Sequence, residues 1–166
     1  MKKQIFLKIS MSFFYSITLT LIFYELLSKP VISTLLDVAV YETKIPASKL
    51  IILCLLFTFL FGFVLLFLQT GLYLMGLKIF NISQESRSHM FSSITISMSI
   101  VGIVFLVLSQ FFNLASPWIL YVIPGITLLL NSVIYYMSSK DKLGFFIVLV
   151  ISIAMYIMNG VINWVR

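Results

Sequence analysis

Twenty-eight consecutive residues, from Leu50 to Leu77, carry no charge, and a lysine stands at each end, Lys49 and Lys78. Such a run predicts a membrane-crossing helix, because a helix satisfies every backbone N–H and C=O inside one segment while hydrocarbon offers no partners. At ~1.5 Å rise per residue it would run about 42 Å. A hydrocarbon core of about 30 Å is shorter, so the helix must tilt or protrude.

The rest of the chain has the same solvent. With 61% hydrophobic and 10% charged residues, 166 residues hold more apolar surface than a soluble domain of this size could bury. The hydropathy pattern therefore predicts an all-α polytopic transmembrane bundle in one integral domain, 1–166, with spans near 9–28, 50–77, 91–113, 118–137 and 143–163. The first span follows Lys2, Lys3 and Lys8 as a secretory signal would. No small-residue cleavage pattern follows it, so it is expected to remain as an anchor. Glu25, near its far end, lies four residues before Lys29 and can pair with it at the interface.

Between the first two spans lies the most polar stretch, 30–48. Pro30 suits a first helical turn, and Val31, Ile32, Leu35, Leu36 and Ala39 share a face while Ser33, Thr34 and Asp37 fall elsewhere. A short amphipathic helix on the outer surface fits, either capping the bundle or receiving an external ligand. The loop after Lys78 holds Glu85, Arg87 and the lone His89, which reads as solvated because metal binding and catalysis need convergent partners.

Polarity inside the spans is confined to small and amide residues at helical spacing. Thr58, Gly62, Gln69, Tyr73 and Gly76 form one stripe. Ser92, Thr95, Ser99, Gly102, Ser109 and Asn113 form a second. Pro124 and Gly125 mark a kink or weakened turn in the fourth span, which continues with Thr127, Asn131 and Tyr135. The fifth span carries Ser152, Tyr156, Asn159 and Asn163. Glycine admits a close neighbour and an amide seeks a partner across the interface, so Gly62, Gln69, Ser92, Thr95, Ser99, Gly102, Asn131, Tyr156 and Asn159 are candidates for helix packing or for lining a path. Ala115, Ser116 and Pro117 read as a tight turn, with Trp118 and Tyr121 as interfacial anchors.

The 11 basic residues sit at span ends rather than in a stripe, so they read as topology signals and give no nucleic-acid surface. With five spans, Lys2, Lys3, Lys8, Lys78, Arg87, Lys140 and Lys142 share one side, against Lys29, Lys44, Lys49 and Arg166. The bias predicts N-in, C-out.

Function classes narrow by what the spans lack. Spans two to five contain no Asp, Glu, Lys, Arg or His, which argues against an ion pathway. There is no His-Glu-x-x-His, no Gly-x-Ser-x-Gly and no Cys/His cluster, so no catalytic, metal or cofactor residue is expected. The single Cys54 reads as an apolar filler.

The layout of one span, a polar outer segment and four closely spaced spans resembles the Yip (Rab/Ypt-interacting) membrane-protein family and its bacterial relatives. Phe61–Leu77, Asn81–Ser88 and Ile123-Pro124-Gly125-Ile126 are most like it. The resemblance implies a small integral protein that accompanies export or resistance systems, and it carries over no site residues. Abundant Ile, Phe, Lys and Ser fits an A/T-rich bacterial genome. The resulting expectation is a non-catalytic plasma-membrane protein that meets lipid and associates with another integral membrane protein. A small carrier or channel for a neutral solute and an immunity protein against a membrane-active peptide stand as alternatives.

Overall fold

The computed structural model describes residues 2–27, 30–111 and 119–164, and among these every regular element is an α-helix. In chain order they are α1 (Lys2–Leu27), α2 (Pro30–Thr43), α3 (Ala47–Ile79), α4 (Gln84–Ser88), α5 (Met90–Phe111), α6 (Ile119–Ser139) and α7 (Lys142–Trp164). Among the described residues four stretches are long and apolar enough to cross a membrane: Ile5–Leu27, Ala47–Ile79, Gln84–Phe111 and Val122–Ser139. The apolar stretch described in α7, Lys142–Met158, is shorter. The expected Glu25–Lys29 pair, the turn at 115–117 and the side chains of Asn113, Trp118, Tyr121, Asn159 and Asn163 lie outside the described residues.

The five long helices close on one another. Helix α1 packs between α3 and α5, α5 between α1 and α6, α6 between α5 and α7, and α7 returns to α3. Helix α3 also touches α5 across the middle. On α3 the inward residues are Gly62, Leu66, Thr70, Tyr73 and Leu77, a three- and four-residue repeat that keeps them on one face. The sequence stripe meets this face at Gly62 and Tyr73, while Gln69 and Gly76 flank it half-buried.

Helix ends are set by local chemistry. Asn81 adopts a left-handed conformation (φ 55°) after α3. The Ile82 and Asn81 N–H groups then bond back to the Leu77 and Lys78 carbonyls at 3.0 Å each. That is the Schellman arrangement, with buried Ile82 joining Leu77 in the core. The chain next forms the single turn α4, where the sequence reading had only a polar loop. Ser83 caps it by accepting from the Ser86 N–H at 3.2 Å. Lys140 (φ 57°) ends α6, and the Asp141 carboxylate accepts from the Gly144 N–H at 3.0 Å to start α7. In α2, Leu36 and Ala39 are half-buried and Asp37 is exposed, while the side chains of Val31, Ile32 and Leu35 lie outside the described residues.

Candidate functional site

The interior holds two small polar clusters stacked on α3. Gln69 and Tyr73 are four residues apart, so their side chains leave the same side of the helix about 6 Å apart along its axis. At the lower level the Tyr73 hydroxyl lies 2.8 Å from Ser152 Oγ of α7, and Ser152 Oγ lies 3.3 Å from Ser132 Oγ of α6. Asn131, 2% exposed, borders the Tyr73 hydroxyl, and its Oδ1 has no hydrogen-bond partner. At the upper level the Tyr15 hydroxyl of α1 donates to Gln69 Oε1 at 3.2 Å.

Above the Tyr15–Gln69 bond opens a chamber of about 390 Å³. All five long helices contribute to its wall. The side chains are apolar except for Tyr15, Gln69 and Thr127. Thr127 turns its hydroxyl to the Ile123 carbonyl of its own helix at 2.8 Å, so its polarity is spent locally. Pro124 also lines the chamber from within α6, where it has no N–H to offer the Leu120 carbonyl. Carboxylates, ammonium groups and imidazole are absent from the lining. Such a space suits a small neutral, mostly apolar molecule that can accept or donate one hydrogen bond.

The candidate residues divide between crossings, interior and periphery. Gly62 meets α1: a Cβ placed there would lie 2.8 Å from Ser16 Oγ and 3.0 Å from Ser16 Cα. Gly102 of α5 meets the opposite side of α1, where a Cβ would overlap the Thr18 methyl group. The two glycines thus let α1 sit close to both neighbours. Gln69 and Asn131 face the interior. Thr95 is buried and Ser92 and Ser99 are half-buried, but their hydroxyls join neither polar cluster, since each donates to a carbonyl of its own segment: His89 at 2.9 Å, Phe91 at 2.9 Å and Thr95 at 2.8 Å. Thr95 and Ser99 instead border a shallow groove against Ser10, Met11 and Phe14 of α1. Tyr156 is 39% exposed and lays its ring over Gly125, outside the chamber. The side chain of Asn159 lies outside the described residues.

Sequence reasoning passed over the polar face of α1. Ser12, Tyr15, Ser16 and Thr18 are all buried. The signal was present in the Ser12-x-x-x-Ser16 spacing, a small-residue repeat that permits close helix approach. Tyr135 of α6 is fully buried beside Gly144, whose missing Cβ makes room for the ring.

Among the described residues no group of three or more His, Cys, Asp or Glu side chains is assembled, and Cys54 is a free, half-buried thiol. No family model, curated protein or solved structure matches the chain.

Proposed function

We propose that this is a five-pass plasma-membrane protein, N-in and C-out, of bacterial origin, that works without catalysis by associating with another integral membrane protein. Support comes from how the polar groups are used. Gly62, Gly102, Gln69 and Tyr73 engage other helices of the same chain, leaving an apolar surface on α3 uncommitted. That surface is the outward row Leu53, Phe57, Leu60 and Val64 of α3, each more than half exposed. Only 11% of the most apolar 18 residues of α3 are buried, and this observation carries the reading. A Yip-like layout of one helix, a short outer helix and a compact remainder belongs to the same proposal.

Photo-crosslinking in the native membrane from probes at Leu53 or Leu60 tests the association, with a probe at Val150 of α7 as the contrast. A stoichiometric adduct with one membrane protein from the α3 positions alone supports it. Adducts with lipid only, at all positions, overturn it. Cysteine labelling in a Cys54→Ser background tests the orientation: Ser139→Cys should react only after the membrane is opened, and Glu42→Cys from outside. The reverse pattern overturns N-in.

A second reading, a carrier for a neutral solute, is favoured by the chamber above Tyr15 and Gln69. It predicts solute flux through liposomes containing this chain alone. A Leu19→Trp substitution, which fills the chamber, should abolish that flux.

A further inference from the structure

A groove of about 890 Å³ lies at the end of the bundle where α1 begins and α3 ends. Its rim carries three cations from three different helices: Lys8 of α1, Lys78 of α3 and Arg87 of α4. Neither Asp nor Glu lines it, and Glu85, the acidic residue of α4, is not part of it. The Nε atom of Arg87, a half-buried residue, is itself buried and has no hydrogen-bond partner, so one donor of a planar guanidinium is left unmet. Leaving such a donor unmet costs free energy that an anion would recover.

Below the rim the groove is apolar. It runs along α3 from Lys78 to Phe67, roughly 16 Å at the helical rise per residue. The two buried hydroxyls on its wall are already bonded to their own helices, Ser12 to the Lys8 carbonyl at 2.9 Å and Thr70 to the Leu66 carbonyl at 2.7 Å. Gly71 lies in the middle. A Cβ at Gly62, Gly76, Gly102, Gly125 or Gly144 would press on another helix or a cap residue, but a Cβ at Gly71 would meet nothing within 4 Å. The absent side chain at this position therefore keeps the groove open and serves no helix crossing of this chain.

We propose that this groove binds one anionic phospholipid, with its phosphodiester held by Lys8, Lys78 and Arg87 and an acyl chain lying along α3 past Gly71 toward Phe67. Cations at headgroup level above an apolar channel match both halves of such a molecule. A zwitterionic lipid would bring its own ammonium group to a site already holding three positive charges.

The test uses the full chain purified in a neutral detergent, titrated with phosphatidylglycerol or with phosphatidylcholine of identical acyl chains, and followed by native mass spectrometry. Phosphatidylglycerol should bind at least about tenfold more tightly. Replacing Lys78→Gln together with Arg87→Gln should remove about 25-fold of that affinity, roughly fivefold per cation. Gly71→Phe fills the channel without touching a helix crossing, so it should leave the unfolding temperature unchanged and abolish lipid binding. Equal affinity for the two lipids overturns the proposal, as does wild-type lipid binding by Gly71→Phe. Binding of water-soluble glycerophosphoglycerol as tight as that of the lipid also overturns it, since the cations would then form a free-phosphate site.

Discussion

Helices α3 and α5 both run through the bundle, yet they are built on opposite terms. Helix α3 is the longer, at 33 residues, and 11% of its most apolar 18 residues are buried. Helix α5 carries serines and threonine through its first turns, and half of the corresponding residues are buried. Ser93, Thr95 and Ser97 of α5 are 3% exposed or less, while Phe57, Leu60 and Phe67 of α3 exceed 60%. In water this would be inverted. In lipid the solvent is as apolar as leucine, so burial is not driven by hydrophobicity, and the residues that go inside are those that allow close backbone approach or need a polar partner. Small polar residues thus share the core with Leu66, Leu77, Met90 and Phe105, and the outward rows are large and apolar.

The largest effect should come from filling the close crossing on α5. Gly102→Leu would drive a side chain into Thr18 and Ile22 and should lower stability by about 3 kcal/mol, measured by reversible unfolding in mixed micelles. The neighbouring Val104→Leu, on a half-exposed position, should stay within about 0.5 kcal/mol. If the two substitutions cost the same, α5 is not the packed member of the pair.

A smaller loss should follow at the interior edge of α3. Gln69→Leu removes the acceptor of the Tyr15 hydroxyl and leaves a buried donor unmet, at about 2 kcal/mol. Adding Tyr15→Phe should recover most of that loss, because both polar ends are then gone. A double variant that is worse than either single one would show that the Tyr15–Gln69 bond does not link α1 to α3. Tyr73→Phe comes next, at about 0.6 kcal/mol, since Ser152 and Ser132 still have each other and intramembrane hydrogen bonds are worth little net. The smallest effect belongs to the outer row of α3. Leu60→Ala should change unfolding by less than about 0.5 kcal/mol, because lipid refills the space. Partner capture is the separate readout: a large drop there with unchanged stability sharpens the contrast between the two helices into one of function.

Much of this was legible before any coordinates. The uncharged run between Lys49 and Lys78 delimits α3 to within three residues of its observed ends, because a charge is the strongest local marker of where hydrocarbon stops. The glycines at 62 and 102 stood out as candidates for helix packing or for lining a path, and a Cβ at either would press on α1. What could not be read was direction. Thr95 and Ser99 have the same chemistry as Ser132 and Ser152, but the first two close only onto their own helix, whereas Ser132 reaches both its own Leu128 carbonyl and Ser152 across the α6–α7 crossing. Gly71 and Gly62 are both small residues in one helix, nine apart, and one faces open space while the other faces Ser16. The seam on α1 was obscured because Phe13, Phe14 and Ile17 alternate with its buried polar residues and give the stretch the look of an ordinary anchor.

Helices α6 and α7 are joined by Lys140 and Asp141 alone, with a left-handed residue closing one helix and a carboxylate opening the next. A connection that short makes them a helical hairpin. Helix α6 brings Asn131, Ser132 and a proline into hydrocarbon, each of which lowers its own preference for the bilayer. Helix α7 carries no charge from Leu143 to Trp164. On the five-pass reading proposed above, α6 would be a hesitant guest at the translocation machinery during synthesis until α7 emerges behind it, and the two would leave for the lipid together. Truncation within α7 should therefore strand α6 outside the membrane, where it becomes a target for quality-control proteolysis.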